Sequence, residues 1–349
     1  MGITDLNHLL QRKAPQAFQT LPLTSFRGYR IAIDGSLWAF TNFATCQKDI
    51  VMRLADPLMG VDRDALGRAV LQRMCVFLTR MITAGVTIVW VWDGTPFPEK
   101  ALAKARRTKK RVSVKDRLQA LRVELEAQHP LARSPDLIRQ YRQVLCQQVS
   151  VRPDDIELLA AFATALGCPN VTAPYEGEKL CASLAIEGAV MGVWTTDTDA
   201  YALGVPLTIT GFDGYGENGG MVKVVSLPHI LHHLGMTQTE FVDLCIFLEC
   251  DFNVRVPGFG EVRVARLIEQ HRSLDHISTL MDLTSLNVVR CREIFAYAAS
   301  DVVEATLVHS QEACRLNIIS LCGHLGVEYT FLASAIRNLP APQHVEFAA

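Results

Sequence analysis

Three stretches of the chain, residues 29–34, 86–93 and 189–199, are apolar runs of strand length that each end on aspartate. Continuous runs of this kind, rich in Val, Ile and Trp, are typical of strands buried on both faces of a parallel sheet. Ligands of open α/β sheets bind outside the carboxyl ends of the strands. The three runs therefore predict a concentration of negative charge at one edge of a sheet.

Helical periodicity covers most of the remaining chain. Apolar residues recur at helical spacing from Leu66 to Met81 and stop before Gly85, which predicts a strand, helix, strand unit. Residues 207–226 predict a hairpin. Further helices are predicted at residues 153–167, 176–188 and 239–248, from residue 258 onward, and through most of the segment after residue 276. We expect an α/β fold, with a central, mostly parallel sheet flanked by helices.

The positive charge of the chain is concentrated after the second run. Residues 100–117 contain nine basic residues and a single acid, Asp116. Four of the basic residues share one face of a predicted helix: Lys100, Lys104, Arg107 and Arg111. Such a run is most often a solvated face. Because this run begins seven residues after Asp93, we favour a face that meets a phosphate.

Composition excludes several classes of protein. The chain has 349 residues, of which 49% are hydrophobic and 20% charged, and its formal net charge is −2. No apolar stretch reaches the ~20 residues of a membrane span, and the first residues lack the pattern of a signal peptide. The ten cysteines are scattered without a C-x-x-C pair, which favours reduced thiols over a disulfide framework or a zinc ribbon.

Seven carboxylates stand at predicted strand ends or helix starts. They are Asp34, Asp93, Glu176, Glu178, Asp197, Asp199 and Asp251. Any one of them has an ordinary explanation, as a helix cap or a turn former. Together they require a salt-bridge network or bound metal. Carboxylates without His or Cys at metal spacing favour Mg²⁺ or Mn²⁺ over zinc, and paired ions about 4 Å apart suit phosphodiester hydrolysis.

Six motifs occur in an order that resembles flap endonucleases and related 5′ nucleases, over about residues 1–275. The motifs are MGITDLNHLL, RIAIDGS, VWVWDGTPFPEK, APYEGEKLCASL, TTDTDAYALGVP and ECDFNVRVPGFGEVRVARLI. The resemblance implies a PIN-like 5′ nuclease core with a gateway and helical arch at about 98–152. It also implies a helix-two-turn-helix motif at about 243–272, which leaves 276–349 as a C-terminal helical extension.

The resemblance also implies roles for the charged residues. One Mg²⁺ ion is expected at Asp34, Asp93, Glu176 and Glu178, and a second at Asp197, Asp199 and Asp251, with Mn²⁺ able to replace both. Lys100 and Arg107 match the residues that contact the scissile phosphate, where their role is electrostatic. The sequence departs mildly from the family at Glu249, where glycine is usual.

Further DNA contacts follow from the same resemblance. Gly258 and Gly260 precede a helix whose backbone amides can approach a phosphate, and a K⁺ ion is expected in the same motif. Phe40 matches an aromatic residue of the family that stacks on a base. For Phe40, a place in the core is an equally good interpretation. The full set of expected DNA contacts is Gly2, Phe40, Lys104, Arg111, Gly258, Gly260, Arg263 and Arg266.

The expected function is Mg²⁺-dependent cleavage of DNA, by a 5′ flap endonuclease and 5′–3′ exonuclease acting at flaps, nicks or single-strand/duplex junctions in replication, repair or recombination. One alternative is a related nuclease that degrades RNA. Another is a non-catalytic scaffold that binds DNA structures, although the complete carboxylate set argues against it.

We expect an intracellular monomer, in the nucleus or in a viral or other compartment of DNA replication, and no association with membranes. Cellular flap endonucleases carry a sliding-clamp motif with paired aromatics in their tail. Here the sequence ends in LPAPQHVEFAA. We therefore expect no clamp contact.

Overall fold

The computed structural model describes residues 2–214, 216–300, 322–323 and 326–337, and a seven-stranded mixed sheet forms its centre. The strands are β1 (Phe18–Pro22), β2 (Arg30–Asp34), β3 (Thr87–Trp92), β4 (Asn170–Thr172), β5 (Gly192–Trp194), β6 (Leu207–Phe212) and β7 (Met221–Ser226). Their order across the sheet is β1-β7-β6-β5-β2-β3-β4. Strands β2 to β6 pair in parallel, whereas β7 pairs antiparallel with both β6 and β1. The predicted, mostly parallel sheet is confirmed.

Helices cover both faces of the sheet. In chain order they are α1 (Leu6–Lys13), α2 (Gly35–Arg53), α3 (Arg63–Ala84), α4 (Ala101–Glu126), α5 (Pro135–Leu145), α6 (Pro153–Ala165), α7 (Gly177–Ile186), α8 (Asp199–Ala202), α9 (Leu227–Leu234), α10 (Gln238–Leu248), α11 (Glu261–His271), α12 (Leu274–Ser278), α13 (Val288–Phe295) and α14 (Thr330–Arg337). The predicted hairpin over residues 207–226 is formed by β6 and β7.

Alternation along the strands divides the interior into two cores. In β2, Ile31 and Ile33 face helices α2, α3 and α6, while Ala32 faces α1, α7 and α10. Successive strand residues point to opposite faces, so a strand with helices on both sides must be apolar throughout. This requirement explains the continuous apolar runs in the sequence.

The third acidic run differs from its prediction. Only Gly192–Trp194 forms β5, so Asp197 lies in a loop beyond the strand and Asp199 begins α8. The hydroxyl of Thr195 accepts a hydrogen bond from the backbone N–H of Asp197 at 3.0 Å, which turns the chain out of the sheet. The two aspartates therefore do not occupy alternate positions of one strand.

Helices α4 and α5 lie outside the sheet, within the segment of about 98–152 for which the resemblance implies a gateway and helical arch. They pack around a small apolar core of their own, in which Leu125 of α4 and Tyr141 of α5 are buried. Val51 of α2 joins this core and connects it to the body of the protein.

Beyond residue 275 the structure contains α13, most of α12 and, further on, α14, which packs against α3. Residues 301–321 and the tail considered for clamp contact, 338–349, lie outside the described residues. None of the helices that the structure describes has the length and apolar composition of a membrane span.

Candidate metal centre and its surroundings

Strands β2 and β3 place the first two carboxylates next to each other. Asp34 is the N-cap of α2, and its Oδ1 accepts a hydrogen bond from the backbone N–H of Leu37 at 3.0 Å. Asp93 directly follows β3. Its Oδ1 accepts a hydrogen bond of 2.8 Å from the backbone N–H of Gly177, the first residue of α7. Both aspartates are thus oriented by the start of a helix.

The start of α7 supplies two glutamates. Glu176 is the N-cap residue and Glu178 lies in the first turn, where the positive end of the helix dipole favours acids. Gly177 separates them, and a Cβ atom there would lie 3.1 Å from Asp93 Oδ1. A small residue at this position lets α7 approach the end of β3 closely.

The loop after β5 contributes Asp197 and Asp199. The backbone N–H of Asp199 donates to Asp197 Oδ1 at 3.2 Å, and the hydroxyl of Thr195 lies 3.4 Å from Asp34 Oδ2. Gly2 packs on this loop with φ +88°, and a Cβ atom there would stand 2.1 Å from Asp197 Oδ1. Glycine is required at residue 2 because any side chain would occupy the space of the carboxylate.

Asp251 comes from the turn that follows α10. The turn is held by Asn253, whose side chain accepts from the backbone N–H of Cys250 at 3.0 Å and donates to the carbonyl of Ile246 at 2.8 Å. Glu249 adopts φ +93°, a conformation that favours glycine. Its carbonyl accepts a hydrogen bond of 2.9 Å from the backbone N–H of Thr4, which ties the turn to the N-terminal segment.

The seven predicted carboxylates converge at one place. Oxygens of Glu178, Asp197 and Asp199 lie within 4.8 Å of one another. Burial, reinforced by the neighbouring acids, raises the pKa of Glu178 to about 7 and that of Asp197 to about 6. Burial likewise raises the pKa values of Asp34 and Asp199 well above their usual range. The centre therefore holds more negative charge than its protein surroundings stabilise.

Cations from the gateway segment offset part of this charge. Lys100 precedes α4, and its Nζ lies 2.5 Å from Glu176 Oε2 and 3.1 Å from Glu178 Oε1. Burial alone would lower the pKa of Lys100, but these two carboxylates raise it above its ordinary value. Arg107 reaches Asp251 Oδ2 at 2.5 Å.

The resemblance predicts that Lys100 and Arg107 contact a phosphate, and in this structure both bind carboxylates of the cluster. They do so because the start of α4 lies against the cluster. Within the described part of the chain, however, no ion pair reaches Asp34 or Asp199.

The donor set suits a hard divalent cation. Asp199 Oδ1 is buried and has no hydrogen-bond partner among the described residues, so a buried oxygen with free lone pairs faces the cluster. Carboxylate oxygens from several elements, without thiol or imidazole, are the ligands that Mg²⁺ and Mn²⁺ prefer. The residues present therefore fit a metal ion of this class.

The remaining predicted contacts lie on surrounding surfaces. Lys104 and Arg111 are exposed on α4, and the ring of Phe40, on α2, is 38% exposed, so it is not a core residue. Gly258, with φ +81°, and Gly260 lie in the turn that leads into α11. Arg263 and Arg266 are exposed on that helix, and the guanidinium of Arg263 stacks 4.1 Å from the centroid of the Phe259 ring.

Two residues of the site were missed in the sequence. Arg106, within the basic run, forms an ion pair of 2.8 Å with Glu249. Thr195 contacts both Asp34 and Asp197. The two consecutive threonines before Asp197 were a usable signal for Thr195, because a hydroxyl there can orient a neighbouring carboxylate. Arg106 had no feature in the sequence that distinguishes it from the other eight basic residues of the run.

Comparison with known proteins identifies relatives of this arrangement. Residues 1–114 match the XPG N-terminal domain, and residues 167–251 match the XPG I-region. Flap endonuclease 1 of Encephalitozoon cuniculi is 30% identical over 283 residues, which cover 81% of this chain and 76% of that protein.

Two solved structures share the fold. The catalytic core of Rad2 in complex with a DNA substrate aligns with a TM-score of 0.65 at 16% identity, covering 97% of this chain and all of that one. Flap endonuclease-1 from Methanococcus jannaschii aligns with a TM-score of 0.61 at 19% identity, covering 92% of this chain and 95% of that one.

Proposed function

Because this chain belongs to the flap endonuclease family, we propose that it hydrolyses phosphodiester bonds of DNA at 5′ flaps, nicks and single-strand/duplex junctions, with Mg²⁺ held by its buried carboxylates. One observation carries the proposal. Seven carboxylates from five segments of the chain lie together beyond the carboxyl ends of β2, β3 and β5, and their charge is only partly balanced by the protein.

Each carboxylate has a proposed place. One ion would be held by Asp34, Asp93, Glu176 and Glu178. The other would be held by Asp197, Asp199 and Asp251. Bound there, Mg²⁺ would supply a Lewis acid and a water of lowered pKa. The helix starts of α2 and α7 orient Asp34 and Asp93 before any substrate arrives. Burial of the cluster keeps competing water away from it.

Lys100 and Arg107 neutralise charge on the scissile phosphate. Both side chains lie against the carboxylate cluster, so a phosphate that enters the centre comes within their reach. Fixed cations at this place stabilise the negative charge that develops as the bond breaks. Their present ion pairs are exchanged for contacts with the substrate.

Surfaces around the centre bind the rest of the DNA. Helices α10 and α11 supply the helix-two-turn-helix, in which Gly258 and Gly260 let the backbone approach a phosphate and a K⁺ ion. Exposed cations on both sides add charge for the backbone of the DNA, and a single-stranded 5′ flap passes the arch of α4 and α5. The proposed contacts are Gly2, Phe40, Lys104, Arg111, Gly258, Gly260, Arg263 and Arg266.

The protein acts as a monomer where DNA is replicated or repaired, in a nucleus or in a viral or other compartment of DNA replication. A purely structural, non-catalytic role is disfavoured because it would give no reason to bury seven acids together.

Cleavage of a labelled 5′-flap DNA in Mg²⁺ and K⁺ tests the proposal, with a matched RNA flap beside it. Asp199→Ala should abolish cleavage while leaving flap DNA bound, and Lys100→Ala should slow the chemical step more than binding. Asp154→Ala, an exposed acid on α6, serves as the control. An uncut DNA flap, or faster cutting of the RNA, would refute the proposal.

A further inference from the structure

The start of α4 has no apolar anchor in the body of the protein. Residues 101–113 of this helix contain no buried side chain, and Leu118 is the first residue of the helix that is buried. Most helices of folded proteins are held in place by an apolar face that packs against their neighbours. The position of this segment, and of Lys100 directly before it, must therefore depend on polar contacts.

Three of these polar contacts point to the metal centre or its turn. Lys100 and Arg107 form ion pairs with carboxylates of the cluster, and Arg106 forms one with Glu249. In the proposed function, Lys100 and Arg107 exchange their carboxylates for the phosphate of the substrate. The same two ion pairs cannot then hold the start of α4 in place while the bond is cut.

A fourth ion pair of this segment does not involve the cluster. Glu99 belongs to the single turn Pro98–Lys100, and its Oε1 accepts a hydrogen bond of 2.6 Å from Nε of Arg290, on α13. This hydrogen bond lowers the pKa of Glu99, so the carboxylate is ionised at neutral pH. Nη1 of Arg290 also lies 2.9 Å from Glu293 Oε2, one turn further along α13. The pair between Glu99 and Arg290 can persist when metal and phosphate are bound.

Helix α13 is itself fixed to two elements that supply carboxylates. Lys179, which follows Glu178 on α7, donates a hydrogen bond of 2.8 Å from its Nζ to the carbonyl of Ile294. On the other side, Arg292 forms an ion pair of 2.7 Å with the buried Asp243 of α10. The residue that Glu99 binds therefore has a defined position relative to the cluster.

The same helix also supports Lys100 through an aromatic contact. Nζ of Lys100 lies 5.2 Å from the ring centroid of Phe252, which follows Asp251 in the turn after α10. Phe295 of α13 meets this ring edge to face at 5.7 Å, and Phe97 meets it at 6.3 Å. A cation at such a distance is attracted to the ring, and rings in edge-to-face contact restrict one another. Helix α13 thus contributes to the position of Lys100 from two directions.

We propose that Glu99 and Arg290 are positioning residues for Lys100, and that their ion pair holds the start of α4 in place while the scissile phosphate replaces the carboxylates. The inference rests on the proposed function and gives α13 a part in it. Neither residue acts on the substrate directly. A fixed cation stabilises developing charge only where its position is set beforehand, and a displacement of about 1 Å can cost roughly a hundredfold in rate. The rate of cleavage, rather than the affinity for DNA, should therefore depend on the pair.

The test separates the chemical step from binding in the full-length protein. Single-turnover cleavage of a labelled 5′-flap DNA in Mg²⁺ measures the first, and fluorescence anisotropy of the same flap in Ca²⁺ measures the Kd. Glu99→Gln and Arg290→Gln should each lower the single-turnover rate about tenfold and change the Kd less than about twofold. The double variant should be no slower than either single variant, because both changes remove the same ion pair.

A second set of variants distinguishes positioning from a general structural role. In the Lys100→Ala background, Glu99→Gln should slow cleavage no further, because its effect passes through the missing ammonium group. Glu293→Gln removes the other partner of Arg290, at a side chain that is 57% exposed, and should change neither the rate nor the Kd.

Three results would overturn the inference: an unchanged rate in both single variants, a loss confined to the Kd, or an equal loss of rate with and without Lys100. Cleavage by the unmodified protein is measured beside each variant. If the unmodified protein cuts the flap and one of these results is found, the inference on Glu99 and Arg290 fails alone. If the unmodified protein does not cut the flap, the proposed function fails.

Discussion

Asp199 combines deep burial with a carboxylate oxygen that has no hydrogen-bond partner among the described residues. The residue is 1% exposed, and this oxygen is its Oδ1. A buried charge without a counter-charge is costly, and burial raises the pKa of this carboxyl because its ionised form is disfavoured. Asp199 is therefore positioned to bind a ligand, and its burial destabilises the metal-free protein.

Asp199→Asn should raise the melting temperature of the protein in a chelator. The amide keeps the shape of the side chain and removes its charge, so the free energy of unfolding should rise by about 1–3 kcal/mol. Differential scanning calorimetry in EDTA measures this effect, with Asp154→Asn as the exposed control. A lower melting temperature would mean that the charge of Asp199 already has a partner.

Glu249 stores backbone strain at the turn that carries Asp251. Its φ of +93° is costly for any residue except glycine. Glu249→Gly should therefore raise the free energy of unfolding by about 1 kcal/mol, even though the ion pair with Arg106 is lost. Arg106→Ala removes only the ion pair and should cause a smaller, opposite change. If both variants lose stability equally, the ion pair outweighs the strain.

At the scale of elements, one buried aspartate joins three helices of the C-terminal half. Asp243 of α10 receives two hydrogen bonds of 2.7 Å from Arg292 of α13 and one of 2.9 Å from the backbone N–H of Leu274, which begins α12. Arg292 also reaches Asp275 at 3.0 Å. This network fixes α10, and with it the turn that bears Asp251.

Asp243→Ala should lower the free energy of unfolding by roughly 2–3 kcal/mol. Breaking a buried ion pair usually costs more, but the side chain of Arg292 is 28% exposed and can recover some hydration. Urea unfolding followed by circular dichroism measures the loss. Glu126→Ala, which removes an exposed pair with Arg122 within α4, should leave the midpoint unchanged. Equal effects of the two variants would contradict the argument.

The elements differ in how far the sequence predicts them. Strands β2 and β3 and helix α3 follow from periodicity because both faces of each strand are buried and the helix has one apolar side. Strands β1 and β4 lie at the edges of the sheet, with few apolar residues to mark them, and they were missed. Strand β6 contains a β-bulge at Thr210, between Ile209 and Gly211. No periodic pattern in the sequence predicts it, since a single inserted residue depends on tertiary packing.

The candidate site could likewise be predicted from the sequence only in part. All seven carboxylates could be selected because each follows a strand or starts a helix, or belongs to a motif with fixed spacing. The contacts of Lys100 and Arg107 could not be predicted, because they depend on how close α4 lies to the cluster. A cavity lined by Trp38, Phe77, Trp194 and Phe212 was missed for the same reason, since these rings come from four separate elements.

At the scale of the whole molecule, divalent ions should stabilise the folded protein. A ligand that binds only the native state adds about 2.7 kcal/mol to the free energy of unfolding at a hundredfold excess over its Kd. Mg²⁺ or Ca²⁺ should therefore raise the melting temperature, and EDTA should reverse the rise. In Asp199→Asn the increase should be much smaller. An increase that is identical in this variant would place the ions elsewhere.

The ion pairs of Lys100 and Arg107 have a consequence for the order in which ligands bind. These side chains form ion pairs with Glu176, Glu178 and Asp251, so in the proposed function a metal ion and the protein's own cations compete for the same oxygens. A phosphate that draws the two cations away would free the carboxylates and so strengthen metal binding. Thermodynamic linkage would make the effect reciprocal, and the metal would increase the affinity for DNA by the same factor. The proposed function therefore predicts that the two ligands bind cooperatively.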